Sequence, residues 1–323
     1  MPVRPDIGVL LGSTQSPAET LAAARAAEQA GFDELWIGED YFFNGGIATA
    51  GALLATTTLP VGLGIVPAVT RHPALLAMEL ATLAGMFPGR LHAGVGAGVF
   101  DWLDGMALRP RRPLGSVRDT LAFVRALLDG ETVTAAHETF AAEAVALHHP
   151  PAERLPLYVG ASGPKALETS GALADGTVLS VLAGVDYVRW ARERIAAGGG
   201  GDDHRVVLYA FCAIDDDAAA ARESLRELVG LYLLTGPRNP LTEVQGIADE
   251  AEALAAQGLD AAIPQIPDAW IDRLAIAGDA DHCRARVAEL AAAGADAIAL
   301  CFPDGAPVEP AIARAADALL EPR

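Results

Sequence analysis

Three stretches of this chain repeat one construction: "EQAGFDELWI", "AAQGLDAAI" and "AAAGADAIAL" each run from a helix-forming segment through a glycine into a short apolar run. A glycine just past the last helical turn takes up the left-handed conformation that ends a helix. An apolar run entered within two or three residues of that glycine reads as a strand. Alternating strands and helices joined this tightly give a parallel sheet covered by helices.

The remaining elements follow that order. Strands are expected at Ile7 to Leu11, "ELWIG", "VGLGIV", "RLHAGVG", "LYVGA", "GTVLSVL", "VVLYAFCAI" and "DAIALCF". Helices are expected over 47–58, 73–84, 116–130, 164–174, 186–197, 217–234 and 243–257. Ser16, followed by Pro17 and by Glu19 three residues on, predicts a capping box for a helix that Gly31 stops. Eight such units in 323 residues fit a (β/α)8 TIM barrel with an insertion before the last strand; at this level a doubly wound open sheet reads alike. No linker long enough to separate a pair of domains occurs, so residues 1–323 are expected to form one domain, with a helical insertion at about 235–275.

Composition narrows the partners. The chain has 23 basic and 42 acidic residues, a formal charge of −19, and repels nucleic acid and anionic membrane alike. A small-molecule partner remains, and the cluster Arg109, Arg111 and Arg112 either attracts an anion or lies on a solvated loop. Cys212, Cys283 and Cys301 lack CxxC or Cys/His spacing, which argues against a disulfide framework and against a metal site. No apolar stretch of roughly 18 residues occurs and no signal-peptide pattern opens the chain, so a cytoplasmic location is expected.

In a barrel of this kind the chemistry sits at the C-terminal ends of the strands. Several of those ends are bare: "GEDYFF", "GIVPAVTRHP", "LHAGVGAGVF", "GASGPK". Glycines there let a flat or phosphorylated ligand lie against backbone, or let one strand approach its neighbour. "GVGAGV" lacks the phase of a dinucleotide fingerprint and no Walker sequence is present. In "GASGPKAL" a glycine turn leads to Pro164, which opens a helix whose free N–H groups and positive dipole end suit a phosphate; a plain strand-to-helix turn reads the same way.

Four segments, "AEQAGFDELWIGEDY", "LGIVPAVTRHPALLAMELATLAGMFPGRLHAGVGAG", "SVRDTLAFVRALLDGE" and "YVGASGPKALETSGALADGTVLS", resemble in order and spacing the bacterial luciferase-like superfamily. The likeness is closest to its coenzyme F420-dependent (deazaflavin) branch, which includes methylenetetrahydromethanopterin reductase. The resemblance implies a (β/α)8 barrel, hydride transfer between F420 and a small organic substrate, and a homodimer. The alternative is an FMN-dependent monooxygenase on the same skeleton.

The resemblance also implies roles for particular residues. A non-prolyl cis peptide in the third strand of the branch corresponds to Gly64–Ile65, expected to bulge and support the ring. Ala97 and Gly98 would line the ring's polar edge. Ala161, Ser162, Gly163 and Pro164 would hold the phosphate-bearing tail, with Gly176 and Thr177 near the far side. Glu39 matches an acidic residue that bonds the deazaflavin or relays a proton, which a raised pKa would assist. Asp40 is the alternative, since strand alternation points one of the pair inward and the other away.

Where the branch often has an acid, this chain has Val99, so either Asp101 or Asp104 substitutes from the following loop or the chemistry needs no donor there. His72 is either a ligand contact or a structural helix-start residue, and Trp102 and Trp270 are pocket walls or core. Arg90 is expected in a buried ion pair at the barrel's bottom.

Overall fold

A computed structural model describes residues 4–303 and 308–320. Its strands are β1 (Asp6–Leu11), β2 (Glu34–Ile37), β3 (Val61–Pro67), β4 (Leu91–Gly96), β5 (Val133–Ala136), β6 (Ala141–Val145), β7 (Leu157–Gly160), β8 (Gly176–Leu179), β9 (Arg205–Ile214), β10 (Ile276–Gly278) and β11 (Ala297–Cys301). Eight of them, β1, β2, β3, β4, β7, β8, β9 and β11, pair in parallel in that order, and β11 returns to β1. The sheet is therefore a closed barrel, not an open doubly wound one. Val9 faces Leu35 on one side and Leu300 on the other, all three buried, as strands covered on both faces require.

Local signals act where they stand. Ser16 accepts a hydrogen bond from the Glu19 amide and Glu19 accepts one from the Ser16 amide, the expected capping box of the helix Pro17–Ala30. Gly31 ends that helix at φ 90° and Gly294 ends the helix Ala280–Ala293 at φ 117°. The middle copy of the repeat departs from expectation. Gly258 also has positive φ, yet "LDAAIPQ" continues as the short helix Leu259–Ala262 and a 3-10 turn, Ile263–Gln265. Pro264 lacks the N–H that a strand ladder needs. Ile263 and Ile266 instead pack on Gly230 of the helix Ala218–Thr235, where a methyl group would come within 2.8 Å of each.

The segment 235–275 is built of short helices, Pro240–Val244, Ala248–Ala255, Leu259–Ala262 and Asp268–Leu274. Two features were not anticipated from the sequence: the β5–β6 hairpin and β10, which extends β9 at Cys212 to Ile214.

Aromatic rings fill the interior toward the strands' N-terminal ends. Trp36 is fully buried, stacks on His92 with ring planes 8° apart, and meets Tyr158 and Tyr209 edge-on at 5.6 and 5.9 Å. Glu34, at the start of β2, accepts from the Trp36 indole at 2.8 Å and from Arg205 at 2.9 Å, and Arg205 also holds Asp6. Gly62 is bare because a methyl group there would lie 2.3 Å from the Trp36 ring. Arg90 stands at this end as expected, but among the described residues it makes no ion pair. Its guanidinium donates to three carbonyls, of Leu54, Thr57 and Leu59, that the helix Gly46–Thr56 and its exit leave without partners.

Candidate active site

The opposite end is hollow. A cavity of about 330 Å3 opens at the C-terminal mouth, bounded by Glu39 and Asp40 after β2, Gly64, Ile65 and Pro67 of β3, Gly96 to Val99 and Trp102 after β4, and Gly160 to Ser162 after β7. Val178, Ser180 and Tyr209 complete it. A second cavity of about 280 Å3 shares Asp40, Gly64, Ser180 and Tyr209 with the first and reaches Leu10, Ser13, Phe211, Leu228, Tyr232 and Phe302. The strand ends "GST" and "SVLAG", which carry Ser13 and Ser180, stand where the sequence directs attention, but Tyr209 was not picked out, because residues on β8, β9 and β11 meet only when the barrel closes.

β3 shapes the mouth. The Gly64–Ile65 peptide is cis, and the pairing of β3 with β4 slips between Leu63 and Val66. This bulge turns the Ile65 side chain across the mouth. A methyl group on Gly96 or on Gly160 would come within 2.8 Å of Ile65, and one on Gly94 within 2.5 Å of the Leu63 carbonyl. The alternating glycines of β4 therefore admit a neighbouring strand's bulge. Gly98 differs: it sits at φ 76°, with the Pro67 ring 2.9 Å from where its Cβ would be. The Tyr209 hydroxyl donates to the Gly64 carbonyl at 3.1 Å and pins the bulge from across the barrel.

The two adjacent carboxylates have different surroundings. Glu39 is 4% exposed, and both its oxygens accept from Arg71 at 2.8 Å. The Tyr41 hydroxyl donates to it at 2.9 Å and the Gly46 amide at 2.9 Å. Burial pushes the Tyr41 phenol up to about 12, so it stays a neutral donor. Asp40 is half-buried, borders both cavities and makes no ion pair or side-chain hydrogen bond among the described residues. Strand alternation does not separate the pair, because β2 ends at Ile37 and both lie beyond it. The Glu39 amide instead donates to the Ile65 carbonyl at 3.2 Å, tying this segment to the bulge.

On the far rim Ala161 is buried and Ser162 exposed, and both border the first cavity. Gly163 and Pro164 stand beside them at the start of the helix Pro164–Leu173, which no side chain caps; they do not line the cavity itself. The Tyr187 hydroxyl donates to the Ser162 carbonyl at 2.6 Å and steadies this turn. Gly176 and Thr177 are not brought to the mouth. They begin β8, where Gly176 lies under the Tyr158 ring and fully buried Thr177 bonds Ser170 at 2.7 Å and His204 at 2.8 Å. In a parallel barrel only the far end of that strand, Val178 and Ser180, reaches the cavity.

Other candidates have structural partners. His72 accepts from the Ala74 amide at 3.1 Å at the start of the helix Pro73–Met86, and its other nitrogen lies 3.0 Å from the Ala141 carbonyl. Arg109 pairs with Asp104 and covers the Phe100 ring, while Arg111 and Arg112 share Glu138. Val99 and Trp102 border the first cavity; Asp101 and Asp104 do not. Trp270, on the insertion's helix Asp268–Leu274, is partly buried against the apolar interior. Arg71, 32 residues from Glu39, was missed, for nothing local marks such a pair. Among the described residues no group of three or more His, Cys, Asp or Glu is placed to hold a metal, and no helix is long and apolar enough to cross a membrane.

Comparison with known proteins agrees with this architecture. The chain is 31% identical over 303 residues to 5,10-methylenetetrahydromethanopterin reductase of Methanolobus tindarius, covering 90% of this chain and 91% of that one. It is 32% identical over 178 residues to F420-dependent glucose-6-phosphate dehydrogenase of Nakamurella multipartita, about half of each chain. The solved coenzyme F420-dependent tetrahydromethanopterin reductase from Methanopyrus kandleri superposes with a TM-score of 0.85 at 24% identity, over 98% of this chain and 99% of that one. The model of the luciferase-like monooxygenase family matches residues 3–297, and the chain belongs to that family.

Proposed function

We propose that this protein is a coenzyme F420-dependent oxidoreductase that transfers hydride between the deazaflavin and a small organic substrate. The observation that carries the reading is the 31% identity to a methylenetetrahydromethanopterin reductase, spread over 90% of the chain, together with a mouth whose walls suit a flat ring. Those walls include the backbone and short side chains of Gly64, Gly96, Ala97, Gly98, Gly160 and Ala161, and the uncapped helix start at Gly163 beside Ser162 suits a phosphate. When bound there, the deazaflavin supplies two-electron hydride chemistry.

The chain supplies placement and a proton site. Ile65, wedged against Gly96 and Gly160, is a firm apolar floor for a ring. Arg71 neutralises Glu39 and fixes the segment 39–41, which leaves Asp40 as the carboxylate at the mouth with free oxygens to accept or return a proton. Val99 offers no proton, so this role falls to Asp40. Titrating the purified protein with F420 should quench the coenzyme's fluorescence at micromolar concentration, with FMN binding far more weakly. Unchanged F420 fluorescence sinks the reading, and tight FMN binding with oxygen uptake favours a monooxygenase.

We also propose a homodimer. The helices Gly46–Thr56 and Pro73–Met86 leave Ala48, Ala52, Leu75, Met78 and Met86 exposed on one side of the barrel, an apolar face suited to a second copy. Met78→Glu is expected to turn a dimer into a monomer by light scattering.

A further inference from the structure

Resting on the deazaflavin reading above, we infer that the second cavity is the substrate compartment and selects an uncharged, mostly apolar molecule bearing a hydroxyl or carbonyl group, while rejecting anions. The two cavities have different walls. The first combines the bare backbone of Gly64, Gly96, Gly98 and Gly160 with Ile65, Trp102 and the shared Tyr209; the second has Leu10, Phe211, Tyr232 and Phe302 on its sides and the Ser180 hydroxyl at the junction. Its volume of about 280 Å3 has room for on the order of ten non-hydrogen atoms.

Charge sets the selection. Among the described residues lining this cavity, Asp40 is the only charged one, and no Lys, Arg or His is present. A phosphate or carboxylate brought in would need cationic partners or several N–H donors to replace its water. It would find instead a carboxylate of like sign, with no ion-pair partner among the described residues. The nearest sequence cluster of cations gives no help, since Arg109, Arg111 and Arg112 already pair with Asp104 and Glu138. A neutral hydroxyl meets no such penalty. It can donate to Asp40 while its carbon skeleton takes the aromatic walls.

The test uses the F420-loaded protein and matched ligands: cyclohexanol and cyclohexanone against cyclohexanecarboxylate and cyclohexyl phosphate. Binding is read by calorimetry and by the ligand-induced rise in Tm, and turnover by F420 absorbance. The neutral pair should bind at least ~10-fold tighter than the anionic pair. Leu228→Arg, which sets a cation on the cavity wall, should reverse that order, and Asp40→Asn should narrow the gap. Anions binding the loaded wild-type protein as well as the neutral ligands overturns the inference while leaving the cofactor reading intact. Failure of F420 itself to bind, seen first by fluorescence, overturns both.

Discussion

The two ends of this barrel are made of the same strands, yet one is solid and the other hollow. At the N-terminal end glycines face rings: Gly62 lies against Trp36 and Gly176 against Tyr158. At the C-terminal end Gly96 and Gly160 face a single isoleucine, and beyond it two joined cavities remain. A glycine therefore says only that something comes close. Whether the neighbour is a tryptophan that completes a core or an isoleucine that floors a site depends on which strand lies alongside.

The carboxylates divide in the same way. Glu34 and Glu39 are both buried and each faces an arginine, Arg205 and Arg71. A buried carboxylate left without such a partner would be strongly destabilising, so Arg205 and Arg71 are required wherever these two stand. Asp40, one residue from Glu39, has no such partner among the described residues and opens onto the cavities. What distinguishes these carboxylates is what surrounds them, not their residue type.

That contrast can be broken deliberately. Trp36→Ala should cost about 3–5 kcal/mol of stability, seen as a lower denaturant midpoint, because the emptied space at the solid end cannot collapse against the fixed strands. A loss under about 1 kcal/mol would mean that the solid end is not the main source of rigidity.

A smaller effect should appear with pH. His92 lies between Trp36 and Tyr158, and burial lowers its pKa to about 4. In the unfolded chain the ring takes up a proton near its ordinary pKa of about 6.5, whereas in the folded protein it stays neutral. Stability from this source is therefore whole above about pH 6.5 and drains away as the pH falls toward 4, by on the order of 3 kcal/mol. Tm recorded from about pH 7.5 to 4.5 should decline, and His92→Phe should flatten that decline relative to the parent.

Least of all should Asp40→Asn disturb the fold. Its stability is expected within about 0.5 kcal/mol of the parent, since no partner is lost. Turnover should nevertheless fall by roughly 10²- to 10⁴-fold if Asp40 exchanges the proton. An Asn variant with undiminished kcat would assign the proton to another group.

Much of the frame is legible along the chain because its signals are local. The Ser16 to Glu19 cap, Gly31, Gly294 and the eight barrel strands in order need only neighbouring residues to act. The misread stretch at 259–266 fails for the opposite reason: its alanines and isoleucines suit a strand or a helix, and the choice falls to Gly230 on a helix about 30 residues away. Glu39 stood out by its place after a strand, but its pairing with Arg71 across 32 residues did not. Gly176 and Thr177 were named by the family resemblance alone, and they stand at the start of β8, away from the mouth.

By itself, then, the sequence determined the alternation of strand and helix, the positions where backbone must lie bare, and the presence of carboxylates after the second strand. Tertiary closure decided which bare positions meet a side chain and which leave space, and which carboxylate is neutralised. The physical reason is that spacing along a chain specifies each residue's own conformation, whereas contact and charge pairing across the barrel exist only once β11 has paired with β1.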